Sequence, residues 1–385
     1  MYNIKTLNNI SQNGLKLLDT AKYSVSDSAA EPDAILVRSA KMHDYAFEPS
    51  LRAIVRAGAG VNNIPIDHCS ERGIVVFNTP GANANAVKEL AIGALILAGR
   101  DILGGIDWVR SLAGTEGVTA AVEKGKSAFV GPEISGKTLG VIGLGAIGIM
   151  VANAATSLGM KVLGYDPYIS VDAAWNLSRS VNHALDLDTI YANSDFITIH
   201  VPATNETKGM LNTEAFAKMR DGVRIINIAR GELVNDADMI AALESGKVAR
   251  YVTDFPNENV LGHAGVVPFP HLGASTPESE ENCAVMACEQ LIEFLENGNI
   301  RNSVNFPAVF ARRVGVRVCL AHRNKPGVLS AVTNCISVRS INIENITSKS
   351  RSDYAYTMVD LTQYTDDVIE ALRGIPDILS CRVIK

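Results

Sequence analysis

The stretch "GVIGLGAIG" supplies Gly143-x-Gly145-x-x-Gly148. Glycines at this spacing let a strand turn sharply into a helix and bring backbone N–H groups close to a pyrophosphate. The exposed N-terminus of the following helix, beginning at Ala146 and Ile147, adds a positive dipole end for the phosphates. Eighteen residues after Gly148, "KVLGYD" ends in Asp166. A carboxylate there suits the adenosine ribose hydroxyls and repels a 2′-phosphate. No Arg or Lys follows it directly, so the pattern favours NAD over NADP. With 31 glycines in the chain the motif alone is weak. The strand-like "KTLGVI" before it and the small-residue helix pattern "AIGIMVANAATSLG" after it give the context it requires.

The elements that must hold this turn read as alternating strands and helices over the first three hundred residues, which predicts an α/β fold with parallel sheets. Strand-like runs occur at 33–40, at 52–63, where the strand runs into a glycine turn, and at 73–80, followed by one long helical pattern over 84–111. A second set follows the glycine motif, at 161–166, 194–202, 223–230 and 249–255. Ser275-Thr276 followed by Pro277 marks the start of another helix, with proline at its favoured first position. The polar stretch 297–313 predicts a linker. Beyond it, strand 314–320, helix 326–337, strands 341–348 and 353–362, helix 365–372 and strand 379–384 give β-α-β-β-α-β, the ferredoxin-like order.

Composition bounds the function. The chain has 385 residues, 47% hydrophobic and 20% charged, which is the profile of a globular protein of two or three domains. Its net charge of −6 argues against nucleic acid as a partner. "LAIGALILAG" is the longest strongly apolar run and is too short to span a bilayer. The start has no basic region followed by an apolar core, so no secretory signal is expected. Cys69, Cys283, Cys288, Cys319, Cys335 and Cys381 form no Cys-x-x-Cys pair and no zinc-spaced cluster. Free thiols in a reducing cytoplasm, and no metal, are the expectation.

Taken together, "TLGVIGLGAIG", "YDPY", "DFITIHVPATNETKGM", "VRIINIARGELVN", "DFPNE" and "PHLGAST" stand in the order found in the D-isomer-specific 2-hydroxyacid dehydrogenases. The chain resembles that family over nearly its whole length, and its tail, with "HRNKPGVL" and "SINIENI", resembles an ACT domain. The resemblance implies two Rossmann-like lobes plus a ferredoxin-like ACT module. It implies a substrate-binding lobe of residues 1–96 and 273–305, an NAD-binding domain of 97–272, a linker at 306–313 and an ACT domain at 314–385. The cleft between the lobes would be the active site.

The resemblance also assigns roles. His271 would be the acid/base on the substrate oxygen, Glu258 its carboxylate partner, and Arg230 the clamp on the substrate carboxylate. A group titrating near neutrality suits proton transfer during hydride transfer, and a guanidinium holds a carboxylate with two bonds. NAD contacts would come from Gly143, Gly145, Ala146, Ile147, Gly148, Asp166, His200, Pro202, Thr207, Ala229 and Asp254. The family motif has its aspartate two residues before the phenylalanine, where this chain has Thr253, so Thr253 competes with Asp254 for the nicotinamide contact.

A phosphorylated hydroxyacid has two anionic ends, so a second set of groups is expected in the first lobe. Arg38 and Ser39 would take the phosphate, the backbone N–H groups of Ala59, Gly60 and Val61 the carboxylate, and Asn83 would complete the set. Lys88 stands where the family has a small residue; it would either add charge for the phosphate or remain a solvated helix lysine. In the tail, His322, Asn324 and Asn342 match the L-serine positions of serine-inhibited relatives. A homodimer or homotetramer is expected. The competing readings are a dehydrogenase of unphosphorylated D-2-hydroxyacids such as glycerate or 2-hydroxyglutarate, and a nonenzymatic NAD-sensing scaffold.

Overall fold

The computed structural model describes residues 1–385, which form two compact units: Met1–Asn83 with Pro277–Lys385, and Ala84–Thr276.

In the first unit, β1 (Tyr2–Leu7), β2 (Tyr23–Ser26), β3 (Ala34–Val37), β4 (Ala53–Arg56) and β5 (Val75–Phe77) form a parallel sheet of order β2-β1-β3-β4-β5. The central strands are apolar throughout, as strands covered on both faces must be. One face packs on helix Pro277–Ile292 through Ala284, Ala287 and Leu291, and the other holds Ile35, Ile54 and Val76.

The second unit carries β6 (Thr138–Ile142), β7 (Lys161–Tyr165), β8 (Val181–His183), β9 (Phe196–Ile199), β10 (Val223–Asn227), β11 (Val248–Thr253) and β12 (Val266–Pro268). They pair in parallel in the order β12-β11-β10-β9-β6-β7-β8. The chain reverses direction across the sheet beside β6, which is where ligands bind in open α/β sheets.

The tail is β13 (Val316–Arg323), β14 (Ile343–Arg351), β15 (Tyr354–Leu361) and β16 (Ile378–Ile384), with helices Val328–Ser337 and Asp366–Arg373. Its sheet is antiparallel, of order β14-β15-β13-β16, the ferredoxin-like arrangement the sequence predicts.

Three expectations change. The single helix over 84–111 is two helices, Ala84–Gly99 and Ile102–Ser111, because the Asp101 side chain accepts the Gly104 N–H and starts the second. The first of these belongs wholly to the second unit, where Ala91, Ala94, Leu95 and Ala98 pack with Leu139, Val151 and Phe196. The unit boundaries therefore fall at residues 83/84 and 276/277 rather than at 96/97 and 272/273.

The expected linker is a packed seam. Phe306 and Val309 are fully buried, Ile300 and Val309 exchange backbone hydrogen bonds, and the Asn305 amide bonds Ser70 and the Ile74 carbonyl. The ACT-like sheet consequently belongs to the first unit. Cys319, Ala321, Tyr356 and Met358 on one face of that sheet join the core of Phe77, Phe294 and Phe306, while Val318, Leu320, Val359 and Leu361 on the other face meet the tail's own helices. At the seam Arg317 is fully buried. Its guanidinium forks onto Asp360 at 2.6 and 2.8 Å and donates to the carbonyls of Asn297 and Ala311. The Tyr356 hydroxyl donates to the Gly298 carbonyl at 3.0 Å.

Candidate functional site

In the second unit the strand ends carry the chemistry. β10 ends at Asn227, whose fully buried side chain organises the turn that follows. Its Oδ1 accepts from the Ala229 and Arg230 N–H groups, and its Nδ2 donates to the Arg230 carbonyl at 2.8 Å. This turn presents Arg230, whose guanidinium lies 6.0 Å from the Phe255 ring centre.

β11 ends at Thr253, and Asp254 follows it. The Asp254 side chain is 1% exposed, and neither of its oxygens has a hydrogen-bond partner. His271 Nδ1 stands 3.6 Å from Asp254 Oδ2, with the imidazole 55% exposed. The edge of the Phe255–His271 ring pair meets at 4.6 Å between centres and 70°, which fixes the imidazole plane. Burial raises the Asp254 pKa above the usual carboxylate range, opposed by the charges of His271 and Arg230. A buried carboxylate without donors is costly to ionise, and the neighbouring Arg230 and His271 side chains offset part of that cost.

One expected contact is not made in this structure. Glu258 is exposed on the loop after β11 and makes no bond to the imidazole; the carboxylate at His271 is Asp254. Asp254 directly follows the strand and is turned inward, whereas Glu258 lies four residues further on in solvent. The Thr253 hydroxyl is also buried and accepts the Phe255 N–H.

The glycine turn has the geometry its spacing predicts. Gly143 has φ of +92°, and a Cβ there would stand 2.7 Å from the His200 carbonyl oxygen. A Cβ on Gly148 would lie 1.9 Å from the Gly143 oxygen, so helix and turn are in contact. A Cβ on Gly145, by contrast, would meet nothing within 4 Å. Two glycines are thus required by the chain's own packing and the third leaves open space at the start of helix Ala146–Ser157, as a bound pyrophosphate demands. Asp166 accepts the Leu144 and Tyr168 N–H groups, which holds the acid at the end of β7 beside the turn. Burial depresses the His200 pKa to about 4, so its imidazole is neutral, and it shares a hydrogen bond with the Thr198 hydroxyl. Thr207 Oγ1 donates to the Pro202 carbonyl. These residues fit a dinucleotide.

In the first unit, Asn8 has φ of +75° and its side-chain oxygen accepts from the N–H groups of Ser39 and Ala40 at 2.9 and 2.8 Å, shaping the loop after β3. The Arg38 guanidinium is held by Glu280 at 2.5 Å. The loop with Ala59, Gly60 and Val61 follows β4, and the Ala59 carbonyl accepts from the Asn78 amide. Beneath it lies Arg56, which was not singled out from the sequence. Its Nε donates to the Arg38 carbonyl, its Nη1 is buried without a partner, and a Cβ on Gly60 would lie 2.7 Å from that nitrogen. An arginine at the end of β4, paired with Val37 just before Arg38, was the available signal. Asn83 is half-buried at the unit's edge. Lys88, in the second unit, is 21% exposed at its side chain and lies 3.6 Å from Glu89.

In the tail, His322 is 3% exposed, and both ring nitrogens are engaged, by the Arg323 carbonyl and the Thr357 hydroxyl. Its pKa is lowered by burial. The Asn324 amide donates to the Ser352 carbonyl and the Asn342 amide to Glu344, both at exposed positions. The histidine thus ties the two interior strands β13 and β15 together, and the two asparagines alone present side chains outward.

Residues 94–273 match the model of the D-isomer specific 2-hydroxyacid dehydrogenase, NAD binding domain, and residues 319–380 match the AHAS small subunit-like ACT domain. D-3-phosphoglycerate dehydrogenase of Archaeoglobus fulgidus is 37% identical over 303 residues, covering 76% of this chain and 53% of that protein. D-3-phosphoglycerate dehydrogenase 2 of Saccharomyces cerevisiae is 30% identical over 426 residues, covering 99% of this chain and 87% of that protein. The chain spans about half the length of several of the curated relatives it matches. Among solved structures, the NAD+-bound 3-phosphoglycerate dehydrogenase of Entamoeba histolytica is 28% identical with a TM-score of 0.60, covering 79% of this chain and 98% of that one. No helix is long and apolar enough to cross a membrane, and no group of His, Cys, Asp and Glu has the arrangement of a metal site.

Proposed function

The chain belongs to the D-isomer specific 2-hydroxyacid dehydrogenases, and from that membership we propose that it oxidises D-3-phosphoglycerate to 3-phosphohydroxypyruvate, the first step of L-serine synthesis. Bound NAD supplies the hydride acceptor, held by Gly143, Gly145, the helix start at Ala146 and Ile147, Gly148 and Asp166. His200, Pro202, Thr207 and Ala229 complete its surroundings. His271 takes the proton from the substrate C2 hydroxyl and returns it in the reverse direction. Asp254 holds the imidazole and favours its charged form. Arg230 clamps the substrate carboxylate and polarises the C2 oxygen. The observation that carries this reading is His271 Nδ1 at 3.6 Å from a buried, otherwise unbonded Asp254 carboxylate, at the strand ends that also present Arg230.

Arg38, Ser39 and Arg56 are proposed to take the substrate's phosphate, and the N–H groups of Ala59, Gly60 and Val61, with Asn83, its carboxylate. Lys88 remains a candidate for the same phosphate. The unphosphorylated-hydroxyacid reading draws support from one observation: Glu280 already occupies Arg38. L-serine is proposed as an effector of the ACT-like module, read by Asn324 and Asn342, with His322 holding the strand behind them. A second copy of the chain is the proposed partner. Helix Ile102–Ser111 buries none of its residues and exposes Ile102, Leu103, Ile106 and Val109 along one stripe, as a subunit contact would. A cytoplasmic location fits the free thiols.

The deciding experiment is NADH oxidation with 3-phosphohydroxypyruvate, compared with hydroxypyruvate and titrated with L-serine. A preference of at least tenfold in kcat/KM for the phosphorylated keto acid is expected. Equal rates on both favour the unphosphorylated reading, and no turnover on any keto acid leaves only the scaffold.

A further inference from the structure

The first unit contains a hollow of about 680 Å3 that lies away from every residue assigned above. Its floor is the edge strand β16 and its walls are helix Asp366–Arg373, the segment before β4, and the turn into β5. It is cationic. Arg52, Arg72, Arg373, Arg382 and Lys385 line it, against the acids Asp366 and Glu370. The chain as a whole has 35 basic and 41 acidic residues, so the hollow reverses the sign of the protein around it.

Several of these cations have unused donors. Arg72 gives Nη1 to the Phe47 carbonyl, Arg52 pairs with Asp33 at 3.4 Å and Arg373 Nη1 donates to Glu370 at 2.7 Å, so each keeps its remaining N–H donors. Lys385 Nζ lies 5.0 Å over the Tyr364 ring with no carboxylate partner. Arg382 is anchored differently: it lies 3.9 Å over the Phe294 ring and donates to the Phe294 carbonyl, which holds the positive charge at the back of the hollow. The hollow is built by tight approach rather than by loose packing. Gly73, with φ of +69°, lies so near β16 that a Cβ there would stand 2.9 Å from Ser380, and the Ser380 hydroxyl donates to the Gly73 carbonyl.

We propose that this hollow is a binding site for a small phosphate-bearing anion. Guanidinium groups approaching from two sides match an anion with charge of two or more and several acceptor oxygens, and the volume suits a ligand of metabolite size. The ligand bridges the tail to the N-terminal ends of β4 and β5. The loop of Ala59, Gly60 and Val61 follows the other end of β4, so a ligand here bears on the same strand that ends at the proposed substrate site.

The test is calorimetric titration of the full-length chain with inorganic pyrophosphate in the presence of saturating NAD, so that the glycine turn is already occupied. One saturable site is expected. In the Arg52→Gln/Arg373→Gln variant, whose side chains are 42% and 53% exposed and whose melting temperature without ligand is expected to match the parent, binding weakens at least tenfold. In Arg38→Gln/Arg230→Gln it is unchanged. The proposal is overturned if no saturable binding occurs, if binding survives Arg52→Gln/Arg373→Gln, or if it is lost in Arg38→Gln/Arg230→Gln, which places the anion at the substrate site.

Discussion

Asp254 and His271 form the one carboxylate–imidazole pair of the NAD-binding unit, 3.6 Å apart, and neither carboxylate oxygen has a hydrogen-bond partner. Its raised pKa reflects burial first. For an acid whose folded pKa is raised, the contribution to stability is greatest below the unfolded pKa and is lost as pH rises to the folded one. Ionised, Asp254 therefore costs stability, and in the proposed function it serves His271.

This separates activity from stability. Asp254→Asn is expected to lower kcat by ~100-fold or more, the scale of a misplaced acid/base. Its melting temperature at pH 7 should equal or exceed that of the parent. Glu258→Gln should stay within about twofold of the parent in kcat, as expected of an exposed group. Steady-state rates and thermal melts of the two variants decide it. The opposite ranking assigns the role to Glu258.

Gly145 offers a second separation. Because its Cβ position is empty, Gly145→Ala should leave the melting temperature of the cofactor-free chain unchanged. It should raise the NAD Kd at least tenfold, since the methyl group occupies the place of the phosphates. Gly148→Ala, whose Cβ meets the Gly143 oxygen, should destabilise the chain even without cofactor. Fluorescence titration with NADH beside thermal melts reads both.

Glu280 competes for Arg38. Glu280→Gln frees the guanidinium, so the KM for 3-phosphohydroxypyruvate should fall several-fold, while that for hydroxypyruvate, which has no phosphate, should not move. A parallel fall in both values removes Arg38 from the phosphate site.

The Arg317–Asp360 pair is fully buried and forked. Arg317→Ala strands a buried carboxylate, and a loss of roughly 3–5 kcal/mol is expected by denaturant titration. Replacing both partners, as Arg317→Met with Asp360→Leu, should recover most of that loss, because no unpaired charge remains.

The parallel sheets, the glycine turn and the β-α-β-β-α-β tail were legible because each rests on local signals: apolar runs of strand length, glycine spacing, and the restart of the pattern at residue 314. The seam at 297–313 was not. Its polar residues read as a linker, yet Ser303 and Asn305 spend their hydrogen bonds on buried backbone, and only tertiary contact with Ser70 and Ile74 reveals that. The proximity of Asp254 rather than Glu258 to His271 was equally hidden. Spacing from Phe255 marks both as near the site, and the inward turn after Thr253 decides which one reaches the imidazole. Arg56 was missed because a strand-end arginine carries no spacing signature.

The discontinuity of the first unit has a consequence for synthesis. Residues 1–83 expose the apolar face of β1, β3, β4 and β5 until helix Pro277–Ile292 arrives to cover it. At ordinary ribosomal rates the whole intervening unit takes on the order of ten to forty seconds to emerge. The NAD-binding unit is therefore the first to have its complete core, while the N-terminal sheet waits as an unfinished, chaperone-accessible surface for the segment that follows it.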